Sequence, residues 1–247
     1  MDTSFYKTYF KIEKEHWLMK VRRGIIQDNL SKYIQKKPKD VKLLDFGCGS
    51  GLFVDELGKD GFDAYGLDNS EEAIKFGQSK GIKNIGVIGS QKISFPDNTF
   101  DAVLSLDVLE HLENESWALR EIERVLKSGG IAIITVPAYH FLWGVQDDVS
   151  HHFRRYTKGW LLREIKKSTS LEIIRSSYYN TFLFPPIAAV RLLSRLFKWK
   201  GRESDYDLNS PFLNKILFFI FNTERKLLKK INYPFGVSIL AVLKKKK

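Results

Sequence analysis

A doubly wound α/β fold with a mostly parallel sheet is the architecture this 247-residue sequence predicts. Short apolar runs bounded by Gly, Asp, Asn or Pro alternate with helical patterns through the middle of the chain. That order is expected of βαβ units whose sheet is covered on both faces. A glycine-rich turn, Gly47-Cys48-Gly49-Ser50-Gly51, follows the first run, and a carboxylate, Asp68, follows the second. In such sheets the ligand sits at the carboxyl ends of the strands, near the switch point.

The elements follow in order. Val41–Phe46, Phe62–Leu67, Ile85–Ile88, Ala102–Leu106 and Ile131–Val136 read as the first five strands, each too short for a helix. Between the fourth and fifth, Leu119, Ile122, Val125 and Leu126 line one helical face, with Arg120, Glu121 and Arg124 elsewhere. Ser128-Gly129-Gly130 is expected to close that helix. Leu171–Tyr179 and Gly236–Leu243 read as two further strands.

Composition narrows the function. With 43% hydrophobic and 28% charged residues the chain can bury a core, which excludes wholesale disorder. One cysteine, Cys48, excludes a disulfide framework and a cysteine zinc cluster, and fits a reducing, cytoplasmic setting. No run of 18 apolar residues is free of charge or proline, so no spanning helix is expected, and the first residues do not read as a signal peptide. The net charge of +11 is concentrated: residues 1–180 hold 26 Lys and Arg against 25 Asp and Glu, whereas 181–247 hold 14 against 4 and also 11 aromatic residues. A near-neutral body thus carries a basic, greasy annex, unlike the spread charge of a small nucleic-acid binder.

The glycine turn carries the chemistry. Glycines let backbone approach a ligand and enter the next helix, whose free N–H groups favour an anionic group; the plain alternative is a tight strand-to-helix turn. Asp68 lies 21 residues after Gly47, where a carboxylate can accept both ribose hydroxyls of an adenosine. In the dinucleotide fingerprint G-x-G-x-x-G the third glycine would fall at Leu52, one position later than Gly51. Asp45, Asp55 and Glu56 surround the turn and no Lys or Arg occurs from Leu43 to Gly58. That field suits a cationic sulfonium and ammonium better than a pyrophosphate, and the cofactor expected is S-adenosyl-L-methionine.

The series Asp45-x-Gly47-x-Gly49-x-Gly51, Gly66-Leu67-Asp68-Asn69-Ser70, Phe95-Pro96-Asp97-Asn98-Thr99-Phe100-Asp101, Ser105-Leu106-Asp107-Val108-Leu109-Glu110-His111-Leu112, Val125-Leu126-Lys127-Ser128-Gly129-Gly130 and Val136-Pro137 resembles class I S-adenosylmethionine-dependent methyltransferases of the type 11/12 branch. The resemblance implies a seven-stranded Rossmann-like sheet of order 3-2-1-4-5-7-6 with the last strand antiparallel. It gives Asp45, Gly47, Cys48, Gly49 and Gly51 to the methionine moiety, Asp68 to the ribose and Asn69 to the adenine flank. Leu106 and Asp107 would approach the methionine end. After the third strand, where relatives place an acidic residue and Ala-Glu, this chain has Gly89-Ser90-Gln91-Lys92, so Ser90 and Gln91 are the expected adenine partners. Glu110-His111 also reads as a helix-start pair satisfied by neighbouring backbone.

Two further segments resemble a narrower branch. His16-Trp17-Leu18-Met19-Lys20-Val21-Arg22-Arg23 is similar to an H-W-W-F-x-x-R-R helix, which implies an N-terminal cap over residues 1–36, with Trp17 on the cofactor and Arg22 on its methionine carboxylate. The segment Gln146-Asp147-Asp148-Val149-Ser150-His151-His152-Phe153-Arg154-Arg155-Tyr156-Thr157 is similar to H-D-x-x-x-G-H-x-R-R-Y-T, with Gln146 in place of the first His and His151 in place of the Gly. Lying after the fifth strand, it should meet the methyl acceptor. Methyl transfer is an in-line displacement that depends on alignment and water exclusion, and a hydroxyl acceptor adds the need for a base. His152 is the expected base with Asp147 orienting it or sharing the task, the plain alternative being that both only pin the loop; Arg155 and Tyr156 are expected at the acceptor or as loop anchors, Tyr139 at the acceptor, and Glu224 at the acceptor or on a buried partner. Adjacent His151 and His152 point apart and lack a third ligand at helical spacing, so no metal is expected.

The cofactor-binding core is expected over 37–180 and a helical insertion over 181–235, before the last strand and basic tail at 236–247. Ile187–Trp199 should be amphipathic, with Arg191, Ser194, Arg195 and Lys198 on one face; a second helix after Pro211 should carry Leu213, Ile216, Leu217, Ile220 and Leu227 on its apolar stripe, interrupted by Glu224. Residues 187–230 could then serve as an acceptor lid touching anionic membrane at the inner face, or simply pack on the sheet. The expected activity is methylation, chiefly at oxygen, of a small-molecule, saccharide or lipid-linked acceptor. An RNA methyltransferase is an alternative, although the Asn/Asp-Pro-Pro-Tyr signature of amino-group enzymes is absent after the fourth strand and Cys48 is not placed as a cytosine nucleophile. A non-catalytic cofactor-binding protein is the other alternative.

Overall fold

The computed structural model describes residues 3–89, 92–196 and 210–246. Helices α1 (Thr3–Glu15) and α2 (Trp17–Tyr33) precede β1 (Lys42–Phe46). The body continues as α3 (Leu52–Lys59), β2 (Asp63–Asp68), α4 (Glu71–Ser79), β3 (Ile85–Val87), β4 (Phe100–Leu106), α5 (Glu115–Val125) and β5 (Leu126–Pro137). Then come the short α6 (Val145–Val149), α7 (Lys158–Ser168), β6 (Glu172–Tyr179), α8 (Phe184–Leu196), α9 (Pro211–Leu228) and β7 (Ser238–Lys244).

The described residues form a seven-stranded sheet of order β3-β2-β1-β4-β5-β7-β6. β1 to β5 pair in parallel, and β7 lies antiparallel between β5 and β6. The central strands are largely apolar because helices cover both faces: Leu43, Leu44, Val103, Leu104, Ile133 and Ile134 are all buried. Side-chain caps start the helices, Ser70 on α4, Asn114 on α5, Thr157 on α7 and Ser210 on α9.

One element ends differently from its sequence reading. The helix before the fifth strand stops at Val125 rather than at the glycines, and Leu126 already pairs with Phe100 in the sheet. Ser128-Gly129-Gly130 lie inside β5, where Gly129 has φ +80° and the β4–β5 register slips between Phe100 and Ala102. The glycine pair therefore makes a bulge, not a helix cap. Gly129 N–H donates to Lys245 O (2.8 Å), tying the bulge to the end of β7.

The two regions outside the core pack on each other. α2 lies against α9, clasped by Arg225, whose guanidinium donates to both Asp28 oxygens (2.7 and 2.9 Å), and by Lys229 on Asp28 at 2.9 Å. Buried Arg175 on β6 donates to Asn29 Oδ1 (2.9 Å), Asn232 Oδ1 (3.0 Å) and the Leu228 carbonyl, joining sheet, α2 and α9.

The amphipathic faces of α8 and α9 are not those the sequence suggested. On α9, Phe221, Glu224 and Leu228 are the buried residues, while Leu213, Ile216 and Leu227 are exposed. On α8, Arg191 and Ser194 line an internal cavity and Leu192 and Leu193 are exposed. Phe197, Lys198 and Trp199 of the expected helix lie outside the described residues, as does the side chain of Arg195.

Candidate active site

A cavity of about 1730 Å³ opens above the carboxyl ends of β1, β2, β4 and β5, roofed by α1, α2, α8 and α9. The strand ends carry unusual backbone there: Asp107 after β4, Tyr139 after β5 and Asn180 after β6 have φ of 55°, 54° and 59°. Residues held in the left-handed region at strand ends mark where the fold spends stability on geometry.

The glycine turn forms one wall. Gly47 has φ +86°, and a Cβ there would stand 2.3 Å from Val108 Cγ2; Gly51 has φ +79°, and its Cβ would stand 2.7 Å from Ile85 Cγ2. Both positions demand glycine by conformation and by contact. Gly51 caps α3 but does not line the cavity, so its role is to set the loop rather than to touch a ligand. Asp68 fixes the same loop, Oδ2 accepting from Gly49 N–H and Oδ1 from Ser70 N–H, each at 2.8 Å.

Three carboxylates converge on this wall: Asp45, Asp68 and Glu13 of α1. Asp45 is buried with Oδ1 lacking a hydrogen-bond partner among the described residues, and burial together with the charges of Asp68 and Glu13 pushes its pKa up to about 7. Glu13 accepts from Ser50 Oγ–H (3.0 Å), yet burial still pushes it up to about 7. Burial above all, with the neighbouring carboxylates, likewise holds the Cys48 thiol far above its ordinary range, so it is no nucleophile. Acids in this state call for a cation.

Across the cavity, Arg22 of α2 forms an ion pair with Asp107 Oδ2, and Thr135 Oγ donates to Asp107 Oδ1 (2.8 Å). Trp17, Asn69 and Leu106 also line the cavity. Ser90 and Gln91 lie outside the described residues.

The loop after β5 supplies a second constellation. Asp147 is fully buried and accepts from Arg155 Nε (2.7 Å) and Nη2 (3.0 Å), from Gly144 N–H (2.7 Å), and shares a 2.8 Å contact with His152 Nδ1. Although burial works the other way, these partners hold its carboxyl well below the usual range. An ionised Asp147 fixes His152 with its proton on Nδ1 and leaves the Nε2 lone pair as the reactive one. His151, where the related motif has Gly, has φ 53°; a left-handed residue at that position explains the glycine of the motif.

Of the four residues expected at the acceptor, Arg155 and Glu224 take the alternative places, loop anchor and buried partner, while Tyr156 and Tyr139 lie off the cavity lining. Arg155 lines the cavity, but its guanidinium is taken by Asp147 and by the Ala138 carbonyl (3.1 Å), so it anchors the loop instead of binding an anion. Tyr156 is a core residue against Trp160 (4.8 Å between centroids), off the cavity lining. Tyr139 stacks on Tyr178 at 5.2 Å, also off that lining. Glu224 lies beneath α9, where Oε2 accepts from Thr181 N–H and Phe182 N–H (both 2.8 Å) and pins the turn into α8. Arg155 and Glu224 turn inward to satisfy backbone groups, whereas Tyr156 and Tyr139 are held by ring packing.

The structure adds residues that sequence reasoning did not assign to the site. Glu13 comes from a helix distant in sequence and had no local signal. Arg191 was read as part of a lipid-facing stripe. Glu110 and His111 were visible as a motif; both line the cavity, Glu110 fully buried with neither oxygen hydrogen-bonded among the described residues. Burial pushes Glu110 well above the ordinary carboxylate range and, chiefly by the same cause, lowers His111. The His111 and His152 rings stand edge to face, 4.5 Å apart.

A parallel sheet that delivers a glycine turn, an orphaned carboxylate and an oriented histidine into one large cavity defines a cofactor-dependent enzyme of the Rossmann-like type. The sequence comparisons give the particular kind. Residues 44–134 match the family model described as "Methyltransferase domain". The Methanocaldococcus jannaschii protein MJ0638 is 32% identical over 210 residues, covering 82% of this chain and 88% of that one. A ubiquinone biosynthesis O-methyltransferase of Pelagibacter ubique is 26% identical over 170 residues, covering 62% and 70%. Among solved structures, a SAM-dependent methyltransferase from Archaeoglobus fulgidus overlays with TM-score 0.57 at 21% identity, covering 96% of this chain and 99% of that one. The cyclase SpnF overlays at TM-score 0.58 and 20% identity, covering 90% and 80%, a likeness of fold alone. The chain belongs to the class I S-adenosylmethionine-dependent methyltransferase family. Its cofactor is S-adenosylmethionine, and the wall described above fits it: Asp45, Asp68 and Glu13 suit a cationic ligand, with Asn69 beside them.

Proposed function

We propose that the enzyme methylates a hydroxyl oxygen of a small or lipid-carried acceptor, and that His152, oriented by Asp147, activates that hydroxyl. The observation that carries the reading is the buried Arg155–Asp147–His152 chain, which ends on a histidine lining the cofactor cavity. A transfer to an already nucleophilic amine or thiolate has no need of such a device; a hydroxyl does. The 26% likeness to a ubiquinone biosynthesis O-methyltransferase supports oxygen as the target. Bound in the cavity, S-adenosylmethionine supplies a methyl group already activated for in-line displacement. The chain's own share is to hold the methionine end between the Asp45 side and Arg22, to exclude water under α1 and α8, and to present the His152 ring to the acceptor.

A screen with labelled methyl donor over catechol, saccharide and prenylated phenol acceptors tests the reading. Turnover should fall by ~10²-fold or more in His152→Ala with cofactor affinity nearly unchanged. A variant that keeps most of its turnover on the best hydroxyl acceptor returns His152 to a structural role.

We also propose that α8 and α9 touch a membrane carrying anionic lipid. Phe212 is 74% and Phe219 73% exposed on α9, with Lys215 and Lys226 on exposed positions of the same helix and Leu192 and Leu193 exposed on α8. Large apolar side chains beside lysines are what an interfacial helix offers. No described helix is long and apolar enough to cross a membrane. Flotation with anionic and neutral vesicles at low salt should show binding to the anionic ones, reduced by Phe212→Ser with Phe219→Ser; no binding to either leaves the face as plain surface.

A further inference from the structure

We propose that Trp17 and Asn180 form the acceptor-recognition end of the cavity, and that they bind hydroxyl groups of a polyhydroxylated acceptor other than the hydroxyl that is methylated. The proposal rests on the hydroxyl reading above and deepens it.

The sheet order divides the cavity. The carboxylate wall on the glycine turn lies over the ends of β2 and β1, and the Arg22–Asp107 pair over the end of β4. His152 follows β5, and β7 and β6 lie beyond it. Neighbouring strands stand about 4.8 Å apart, so the ends of β1 and β6, four strand spacings from each other, are separated by about 19 Å. A donor held on the glycine turn with its methyl group toward His152 leaves the β7–β6 half for the acceptor. The cavity of about 1730 Å³ has room for both, since a pocket for one drug-sized ligand takes about 300–1,000 Å³.

That half is built where the roof meets the edge of the sheet. Phe221 of α9 carries the Trp17 ring edge to face at 5.9 Å and the Tyr179 ring stacked at 6.3 Å between centroids, so the start of α2 and the end of β6 meet over it. Trp17 backbone N–H donates to Asn214 Oδ1 (3.0 Å), which seats it against α9. Asn180 is held as firmly, because Glu224 takes the next two backbone N–H groups at 2.8 Å each. Trp17 and Asn180 line the cavity together with Leu183, Ile187 and Leu217, whose apolar side chains suit the carbon faces of a ring.

Trp17 is 7% and Asn180 3% exposed, and among the described residues neither the indole Nε1–H nor Asn180 Oδ1 has a hydrogen-bond partner. Leaving such groups dry and unpaired is costly, and a ligand that pairs them removes the cost. The indole N–H only donates and the amide oxygen only accepts. A carbonyl or ether oxygen would serve the first alone, and an ammonium the second alone. Hydroxyls serve both. The resemblance in sequence set Trp17 on the cofactor; its packing on α9 and β6 moves it to the acceptor half.

The full chain, loaded with S-adenosylhomocysteine so that no methyl group can transfer, is titrated by calorimetry with two matched pairs: catechol against phenol, and a methyl hexoside against its deoxy analogue. In at least one pair the probe with more hydroxyls should bind about tenfold or more tightly, because a site that hydrogen-bonds a hydroxyl rejects the analogue lacking it. The pair that shows the preference tells an aromatic from a carbohydrate acceptor. Trp17→Phe keeps the ring on Phe221 and removes the N–H; Asn180→Gly keeps the left-handed backbone and removes the amide. Each should abolish most of the preference and leave S-adenosylhomocysteine affinity unchanged. No preference in either pair, a preference that both variants retain, or a loss of cofactor affinity in Trp17→Phe as large as the loss of acceptor affinity overturns the proposal. Because these readouts need no turnover, a preference that the variants lose in a protein that methylates none of the hydroxyl probes keeps the recognition end and sinks the hydroxyl reading. Hydroxyl methylation without any preference does the reverse.

Discussion

Asp45 shows how a single side chain can be written for a ligand. Its Oδ1 has no hydrogen-bond partner among the described residues, and with Glu13 it is held near pH 7 by burial and by mutual repulsion. The folded pKa lies above the unfolded one for both, so their contribution to stability is present below about pH 4 and is lost as pH rises through about 7. A cationic ligand favours the ionised form. S-adenosylmethionine should therefore bind more tightly as pH rises from 6 to 8, with proton release measurable by calorimetry in buffers of different ionisation enthalpy; a flat profile would separate these acids from the cofactor. Asp68→Ala should cost roughly 2–4 kcal/mol of cofactor binding in a folded protein, and because Asp68 holds Gly49 N–H, the adenosine and methionine halves should both suffer. Calorimetry with adenosine and with the whole cofactor separates the two. The glycine-turn wall of the cavity was legible because glycines and the acid at a strand end are local demands of backbone and chain length. Glu13 was not, because nothing in a helical stretch says which distant loop it will meet.

At the scale of elements, the loop after β5 is held by one carboxylate. Removing Asp147 leaves the Arg155 guanidinium buried without its counter-charge, on the Ala138 carbonyl alone of the partners described above, so Asp147→Ala should destabilise by about 3–5 kcal/mol, seen as a lower melting temperature. Asp147→Asn should lose less, and should expose whether His152 needs the charge or only the contact. The strands were legible from their apolar runs, since a sheet covered on both faces leaves no alternating pattern to misplace. The amphipathic helices were not. α8 turns Arg191 and Ser194 toward the cavity and Leu192 and Leu193 outward, and a helical wheel records two faces without saying which one meets the protein.

The whole molecule is a parallel sheet with a roof made from both ends of the chain. α1 and α2 enter before the first strand, α8 and α9 return before the last, and the Asp28–Arg225 clasp holds the two together. Arg225→Ala should loosen this roof, with faster hydrogen exchange in both α2 and α9 while the amides of β1 and β4 stay protected; exchange confined to α9 would mean that the clasp transmits nothing. α1 closes one side through the Glu13–Ser50 contact, so a ligand seated on the glycine turn lies beside this helix. Because Glu13, Asp45 and Asp68 are drawn to positive charge, they distinguish a fresh methyl donor, which is a sulfonium, from its spent form, which is a neutral thioether. Above pH 7, where Asp45 and Glu13 are ionised, the donor should therefore bind more tightly than its spent form, a difference that calorimetry with the two ligands measures.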